Sequence, residues 1–251
     1  MSLKRTILRL IPKSLEPPIR YWVKRARSSG HLMHDLHTIT SYIRRGSCAI
    51  DVGANVGLFT YAFSRNSDSV EAFEPLPECA EVLSKFAKIR RNVRVHPIAL
   101  SDDSGTATIH VPYRDATPLH GWATLREYSG EHTSHNVQLA TLDSFGFTNV
   151  SVIKIDVEGH EMAVIRGAQE TLKREKPVLL IEIEHRHHGQ DIRPFLTEIE
   201  AMGYTGIFFD EHCHEAPIST FDPNIHQDLA RADQGDPRYC INFLFKPTGT
   251  T

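Results

Sequence analysis

Three places in the sequence carry acids at the end of a strand-like run. Asp51 and Glu74 each end such a run, and Asp156 and Glu158 follow a third run, with His160 just beyond. Crowded carboxylates raise one another's pKa, and a histidine titrates near neutral pH, so either can take up a proton. Because ligands bind at the carboxyl ends of parallel strands, these residues are expected to meet at one edge of a sheet. The sequence predicts a site for ligand binding and proton transfer there.

The first run leads into a glycine turn. Asp51 is followed by Gly53, Asn55 and Gly57, and a helical pattern begins directly afterwards. Gly53 permits a sharp turn and the close approach of a ligand, and Gly57 permits close packing of helix on strand. The G-x-G-x-x-G turn that holds a dinucleotide pyrophosphate has a different spacing. The turn is similar to the D-x-G-x-G-x-G turn of S-adenosylmethionine (SAM) methyltransferases, with Asn55 in place of the middle glycine. Asp51 could then face the amino group of SAM. A glycine turn of some other α/β protein is the alternative.

The second acid has the spacing of a ribose ligand. Glu74 lies 23 residues after Asp51, at the tip of the next predicted strand, and Pro75 ends that strand. A carboxylate at this position can accept hydrogen bonds from both ribose hydroxyls. The alternative is a solvated glutamate at a strand end.

A third strand is predicted over residues 92–100, followed by a turn over 101–105. In a nucleotide-type α/β fold, the segment after the third strand flanks the adenine ring. Apolar contact is expected from Leu100 and polar contact from Ser101 or Asp102. The candidates for the adenine site are Ala99, Leu100, Ser101 and Asp102.

The fourth predicted strand carries a lysine among apolar residues. Lys154 and Asp156 share one face of this strand, and a buried lysine is costly unless it is paired. Glu182 and Glu184 lie on the next strand, which neighbours this one in an open parallel sheet. Crowding of these carboxylates could produce a base. Two alternatives are a buried Lys154–Glu182 pair and a divalent metal shared by Asp156 and Glu182.

The chain length of 251 residues suits one α/β domain with a short extension. Residues 1–30 carry eight lysines and arginines against one acid. They predict a basic N-terminal arm, which either rests on an anionic membrane surface or packs on the domain or on a second subunit. Residues 31–251 form the predicted domain, with residues 103–147 as an inserted hairpin and long loop. Trp122 in this loop could stack on a sugar or anchor the loop.

The totals exclude several classes of protein. A net charge of −3 argues against a general nucleic-acid binder. Four cysteines without C-x-x-C spacing indicate reduced thiols, and no apolar run reaches the roughly 18 residues that span a bilayer. We therefore expect a cytoplasmic protein, with residues 1–30 as its one candidate for peripheral contact with the inner membrane surface. Its expected partner is a small-molecule or glycan acceptor, and a homo-oligomer stays open. The histidine-rich segments 31–37 and 211–215 lack a complete metal-ligand set. The first is expected to form a solvated histidine face or to place one histidine against the ligand.

Together these motifs resemble the FkbM-type methyltransferase family. The resemblance implies a class I SAM-dependent methyltransferase (Rossmann-like) fold, a mostly parallel seven-stranded sheet with an antiparallel last strand. It also implies SAM as cofactor and O-methylation of a hydroxyl on a sugar, polysaccharide or natural product. The matching segments are 51–57 (DVGANVG), 71–75 (EAFEP), 99–102 (ALSD), 141–143 (TLD), 153–161 (IKIDVEGHE) and 181–182 (IE).

The expected reaction is an in-line attack of a substrate oxygen on the SAM methyl group, helped by alignment of the reactants. Asp156 is expected near the methyl group, with Glu158 or His160 as the base that takes the hydroxyl proton. Acceptor contacts are expected from Trp122, Glu182 and His185. The residues expected to hold SAM are Asp51, Gly53, Asn55, Gly57, Glu74, Pro75, Ala99, Ser101, Asp102 and Asp156. A NAD-dependent oxidoreductase and a non-catalytic SAM-fold binding protein are the alternatives.

Overall fold

The computed structural model describes residues 12–27, 31–232 and 236–249. Its strands, in chain order, are β1 (Cys48–Val52), β2 (Ser69–Phe73), β3 (Val93–His96), β4 (Ala99–Leu100), β5 (Gly105–Arg114), β6 (Thr117–Pro118), β7 (His132–Ala140), β8 (Val150–Ile155), β9 (Val178–Glu182), β10 (Tyr204–Phe209), β11 (Glu215–Pro217) and β12 (Asn242–Pro247).

An eight-stranded central sheet has the order β11-β10-β12-β9-β8-β1-β2-β3. The strands from β9 to β3 are mutually parallel, and β12 runs antiparallel to both of its neighbours. This confirms the predicted α/β fold with a mostly parallel sheet and an antiparallel last strand. The short strand β11 pairs with the edge of β10 and brings the total to one more than the seven strands expected.

The central strands are apolar because both faces of the sheet are covered. All residues of β1 and β8 are buried. Ile50 and Ile153 pack on one face of the sheet, and Ala49 and Val152 pack on the other. The parallel pairing of β8 with β9 confirms that the two acid-bearing strands are neighbours, so their carboxyl ends meet at one edge.

The helices are α1 (Glu16–Arg27), α2 (His31–Ser41), α3 (Leu58–Ser64), α4 (Pro77–Ile89), α5 (Glu161–Arg166), α6 (Gln169–Glu175), α7 (His185–His188), α8 (Arg193–Ala201), α9 (Pro223–His226) and α10 (Leu229–Ala232). Within the described part of the chain, no helix combines the length and apolar character that crossing a bilayer requires.

Helix α1 packs on the domain through Tyr21, which is buried against Leu36 of α2 and Ala62 of α3. This is one of the two arrangements expected for the basic arm. Residues 1–11 and 28–30 lie outside the described residues, so the membrane contact stays a prediction.

The strand predicted over residues 92–100 is divided, and that prediction is wrong in its second half. Strand β3 ends at His96, and Ala99 and Leu100 pair instead with Leu139 and Ala140 of β7. Pro97 has no backbone N–H to continue the β3 ladder, so the chain leaves the central sheet at this residue.

Strands β4, β7, β5 and β6 form a second sheet in that order. Its main part is the long antiparallel hairpin of β5 and β7, called the ribbon below. Both strands reach further into the stretch predicted as a loop than expected, since one face of an antiparallel pair can be polar and solvated. The connection between β5 and β7 folds back along β5 and holds a 3₁₀ turn at His120–Trp122.

Asp143, part of the TLD motif, is a helix cap. Its carboxylate accepts hydrogen bonds from the backbone N–H of Glu170 at 3.0 Å and from the backbone N–H and hydroxyl of Thr171 at 2.8 and 2.6 Å. These groups lie in the first turn of α6, whose N–H groups lack intrahelical partners. The motif residue therefore stabilises the fold.

We expect Asp143→Ala to lower the free energy of unfolding by about 2 kcal/mol, because three hydrogen bonds to a carboxylate are lost. Urea denaturation measures the change. The matched control is Asp103→Ala, since Asp103 is exposed and accepts from the adjacent Ser104 N–H. Equal stability of the two variants would contradict the capping role.

Candidate active site

An open cleft of about 590 Å³ lies at the carboxyl ends of β1, β2 and β8 and extends beneath the ribbon. The central sheet provides its polar wall and the ribbon provides much of its apolar wall. The cleft is lined by Val52, Gly53, Asn55, Phe73, Glu74, Pro75, Leu76, Ile98, Ala99, Leu100, Ile109, His120, Gly121, Ala123, Leu125, Asp156, Val157, Glu158 and His160.

The glycine turn after β1 is in close contact with the end of β8. Gly53 has φ +75°, and a Cβ atom there would lie 1.8 Å from the carbonyl oxygen of Asp156. Only glycine fits without moving the backbone, so the two strand ends stay adjacent. Gly57 also has a positive φ, but its neighbours are Leu83 and Pro17, and it lies outside the cleft lining. Gly57 therefore permits close packing at the start of α3.

Glu74 joins the glycine turn to the end of β2. Its Oε2 accepts from the backbone N–H of Asn55 at 2.7 Å, and its Oε1 accepts from that of Leu76 at 2.8 Å. Burial raises the pKa of Glu74 to about 7, against the opposing effect of these two hydrogen bonds. Each carboxylate oxygen has a second lone pair, so the fixed carboxylate can still accept from a ligand in the cleft.

Asp51 lies below the turn and does not line the cleft. Its Oδ2 accepts a hydrogen bond from the Thr60 hydroxyl at 2.5 Å. Burial raises the pKa of Asp51 to about 6. The contact ties the end of β1 to α3, so Asp51 can support the turn from beneath.

The adenine candidates divide into two groups. Ala99 and Leu100 line the apolar part of the cleft. Ser101 and Asp102 lie outside the lining: the Ser101 hydroxyl is 2.9 Å from Nε2 of His160 and 3.1 Å from Oδ1 of Asp102. Ser101 therefore positions the His160 ring.

Lys154 is buried between two carboxylates on adjacent strands. Its Nζ lies 3.8 Å from Asp156 and 3.9 Å from Glu182, and it donates to the carbonyl oxygen of Ile155 at 3.1 Å. The lysine thus has the Glu182 partner considered from the sequence and Asp156 as a second one. This pairing fixes the side chains of both acids, of which Asp156 lines the cleft and Glu182, an expected acceptor contact, lies outside the lining.

Four carboxyl groups crowd this end of the sheet. The pKa of Glu158 is raised to about 10 and that of Glu182 to about 8, by burial first and then by neighbouring carboxylates. The pKa of Asp156 is also raised, mainly by burial, with Lys154 opposing the rise. The Asp156 side chain keeps 35 % of its surface exposed, so it remains open to a ligand. Single carboxylate oxygens of Asp156, Glu158 and Glu182 lie within 4.8 Å of one another, and a second such group joins Glu158 and Glu184 to His187.

His160 lines the cleft, and burial lowers the pKa of its imidazole, so the ring is neutral at pH 7. His185 lies outside the lining, at the start of α7, and its Nδ1 is buried without a hydrogen-bond partner among the described residues. Trp122 lies outside the lining, in the connection between β5 and β7, with arginines over its ring.

The two other histidine-rich segments lie outside the cleft lining. His31 contacts the carbonyl oxygen of Asp210 at 2.8 Å, and the His34 ring packs edge-on against Phe209 of β10. His212 and His214 are exposed. Among the described residues, neither segment contains a cluster that could hold a metal ion.

Sequence reasoning missed a buried pair behind the cleft and the ribbon's own lining residues. Nε2 of His188 lies 3.0 Å from Glu161, which also accepts from the Gly159 N–H at 2.7 Å and so shapes the loop that carries Glu158. His120 and Leu125 line the cleft from the ribbon. Their one signal in the sequence was their place in a long inserted loop.

The fold is the class I SAM-dependent methyltransferase fold. A solved structure of methyltransferase FkbM from Methylobacillus flagellatus matches with a TM-score of 0.51 at 15% identity, covering 94% of this chain and 55% of that one. The family model described as the methyltransferase FkbM domain matches residues 51–205. The chain belongs to this FkbM methyltransferase family.

Two curated relatives share 28% identity over 155 residues. One is methyltransferase sdnD of Sordaria araneosa, with 48% of this chain and 60% of the relative covered. The other is hexuronic acid methyltransferase AglP of Haloferax volcanii, with 59% of this chain and 60% of the relative covered. The match thus spans 60% of the length of each relative.

Stability should report the buried state of Glu74. The group ionises near pH 4.5 in the unfolded chain and near pH 7 when folded, so stability falls as pH rises between these values and levels off above them. We expect the free energy of unfolding of Glu74→Gln, relative to that of wild type, to rise by about 2 kcal/mol from pH 5 to pH 8. Urea denaturation at both pH values measures this, with the exposed Glu127→Gln as control. A constant difference at both pH values would contradict the assignment.

Proposed function

We propose that this protein is a SAM-dependent O-methyltransferase that acts on a hydroxyl of a sugar or natural product. The observation that carries the proposal is the meeting of Gly53, Glu74 and Asp156 in one cleft. A turn open to close approach, a fixed acid and a catalytic acid candidate lie together where this fold binds ligands.

The residues of the cleft fit the chemical groups of SAM. Glu74 is held by two backbone N–H groups and has lone pairs left for ribose hydroxyls. Ile98, Leu100 and Phe73 offer an apolar wall for an adenine ring. Gly53 lines the cleft without a side chain, and its turn packs directly on the backbone of Asp156. When bound, SAM supplies an electrophilic methyl group on a sulfonium centre.

Glu158 is our choice for the base, ahead of His160. A carboxylate with a raised pKa is a strong base once it is ionised, and a cation bound in the cleft lowers that pKa by favouring the ionised form. Glu158 lines the cleft, and its Oε2 lies 3.0 Å from Nδ1 of His187, which can orient it. His160 is held by Ser101, and its lowered pKa makes it the weaker base.

Asp156 is assigned to orientation of the acceptor hydroxyl. Its carboxylate is fixed by Lys154 and remains partly exposed to the cleft. Alignment of the reacting atoms supplies much of the rate in a transfer of this kind. The name of the hexuronic acid methyltransferase AglP supports a sugar as the acceptor.

Cofactor binding is tested first, by calorimetric titration with SAM, S-adenosylhomocysteine and NAD. We expect SAM and S-adenosylhomocysteine to bind. Glu74→Ala should weaken the binding of both at least about tenfold, because a buried carboxylate that accepts hydrogen bonds from the ribose hydroxyls is lost. The control, Glu127→Ala, changes an exposed carboxylate. Binding of NAD in place of SAM would favour the oxidoreductase alternative, and no binding of any of the three would sink the proposal.

Turnover is tested with Asp156→Asn, which keeps the size of the side chain and removes its charge. We expect formation of S-adenosylhomocysteine from SAM and a panel of sugars to fall by about 100-fold or more. SAM affinity should change much less, which separates catalysis from binding. Asp103→Asn is the control. Unchanged turnover in Asp156→Asn would remove this residue from the reaction.

A further inference from the structure

Two arginines lie over the ring of Trp122 at the mouth of the cleft. The guanidinium carbon of Arg114 is 4.7 Å from the ring centroid and that of Arg186 is 5.1 Å from it. The Trp122 side chain is 39 % exposed. These three residues are called the Arg–Trp rim below.

The Arg–Trp rim is next to the candidate active site. His120 and Ala123, on either side of Trp122, line the cleft. The hydroxyl of Thr124 donates to the backbone carbonyl of Glu158 at 2.8 Å, which holds this part of the ribbon against the catalytic loop. The rim therefore lies beside the part of the ribbon that contacts the loop carrying Glu158.

The rim joins the ribbon to the central sheet. Arg114 and Trp122 belong to the ribbon, whereas Arg186 follows β9 and contacts the Glu184 carboxylate at 2.8 Å. Arg126 also points across this gap, with a guanidinium nitrogen 3.5 Å from the carbonyl oxygen of His188. Contacts from both sides thus converge on the same mouth.

Charge is unbalanced at this place. Arg186 has Glu184 as its partner, but no carboxylate among the described residues lies within ion-pair distance of Arg114. Two like charges near one ring repel each other, and an anion that contacts both relieves that repulsion. Guanidinium groups bind carboxylates and phosphates through two parallel hydrogen bonds, and an indole ring offers an apolar surface to a sugar.

We propose that the Arg–Trp rim binds an anionic group, a carboxylate or a phosphate, on the acceptor sugar. This rests on the proposed function and adds the class of acceptor: an acidic sugar rather than a neutral one. The arginines at the mouth attract the anionic group. This attraction orients the sugar with its anionic group outward and a hydroxyl toward Glu158.

Fluorescence can report this site directly, because the chain has two tryptophans. Trp22→Phe leaves Trp122 as the sole emitter. This variant is titrated with methyl glucuronide, glucose 6-phosphate, methyl glucoside and inorganic phosphate. We expect saturable changes in emission with the acidic sugars, at Kd values at least about tenfold below that of the glucoside. A preference for the uronic or the phosphorylated sugar tells which anion is the source.

Arg114→Gln in the same background should weaken binding of the acidic sugars at least about tenfold, since the cation of the rim that has no carboxylate partner among the described residues is lost. The control is Arg91→Gln, an exposed arginine before β3, at the opposite end of the strands from the cleft. Raising the salt concentration should weaken binding of the acidic sugars and leave the glucoside unaffected.

Three results would overturn the proposal: no change in Trp122 emission with either acidic sugar, equal affinity for the neutral glucoside, or inorganic phosphate binding as tightly as the sugars. The last would mark an anion site only. Calorimetry with SAM on the same variants separates the two proposals. Sugar binding without SAM binding would leave the rim standing and the methyltransferase function refuted, and the converse would leave only the function.

Discussion

The charge balance around Lys154 is the constraint on which the centre of the molecule depends. Lys154 is paired in register with Asp51 of β1, and its Nζ lies between Asp156 and Glu182. One buried cation therefore opposes the rise in pKa that burial causes in several acids, including Asp35 of α2. Burying a charge is costly unless it is paired, so the acids and the lysine hold each other in place. The geometry of the cleft depends on this arrangement of the lysine and the acids.

The two sheets contribute different parts of the candidate site. The central sheet provides the Gly53 turn, Glu74 and the acids after β8, all fixed by backbone contacts or ion pairs. The ribbon provides the apolar wall and the residues at the mouth. Cofactor contacts are thus expected from the rigid sheet and acceptor contacts from the ribbon.

Local patterns in the sequence were sufficient for the central sheet. Three features have a physical explanation that is local in the sequence: the glycine turn, the acid 23 residues later and the lysine within an apolar strand. The class of fold, the neighbouring acid strands and the family follow from these, and the family match confirms the resemblance. The roles of the individual site residues stay predictions.

The contacts that the sequence did not predict are all long-range. Ser101 meets His160, Glu158 meets His187, and Trp122 meets Arg186, because the ribbon and the loop after β9 fold back over the cleft. The break at Pro97 diverts β4 into the second sheet, and that step has no periodic signal. A motif match also does not reveal whether a residue binds a ligand or stabilises the fold, as the capping role of Asp143 illustrates.

The two strands of the ribbon pair with each other and with β4 and β6. Among the described residues, neither strand pairs with the central sheet. Its tip can therefore change in length and composition without breaking the ladder that holds Gly53 and Glu74. Divergence within such a scaffold is expected to be divided in space: the half proposed to bind the cofactor is constrained by buried charges, and the half proposed to bind the acceptor is free to vary. Descendants of one ancestral chain could in this way keep one methyl donor while they turn to new acceptors.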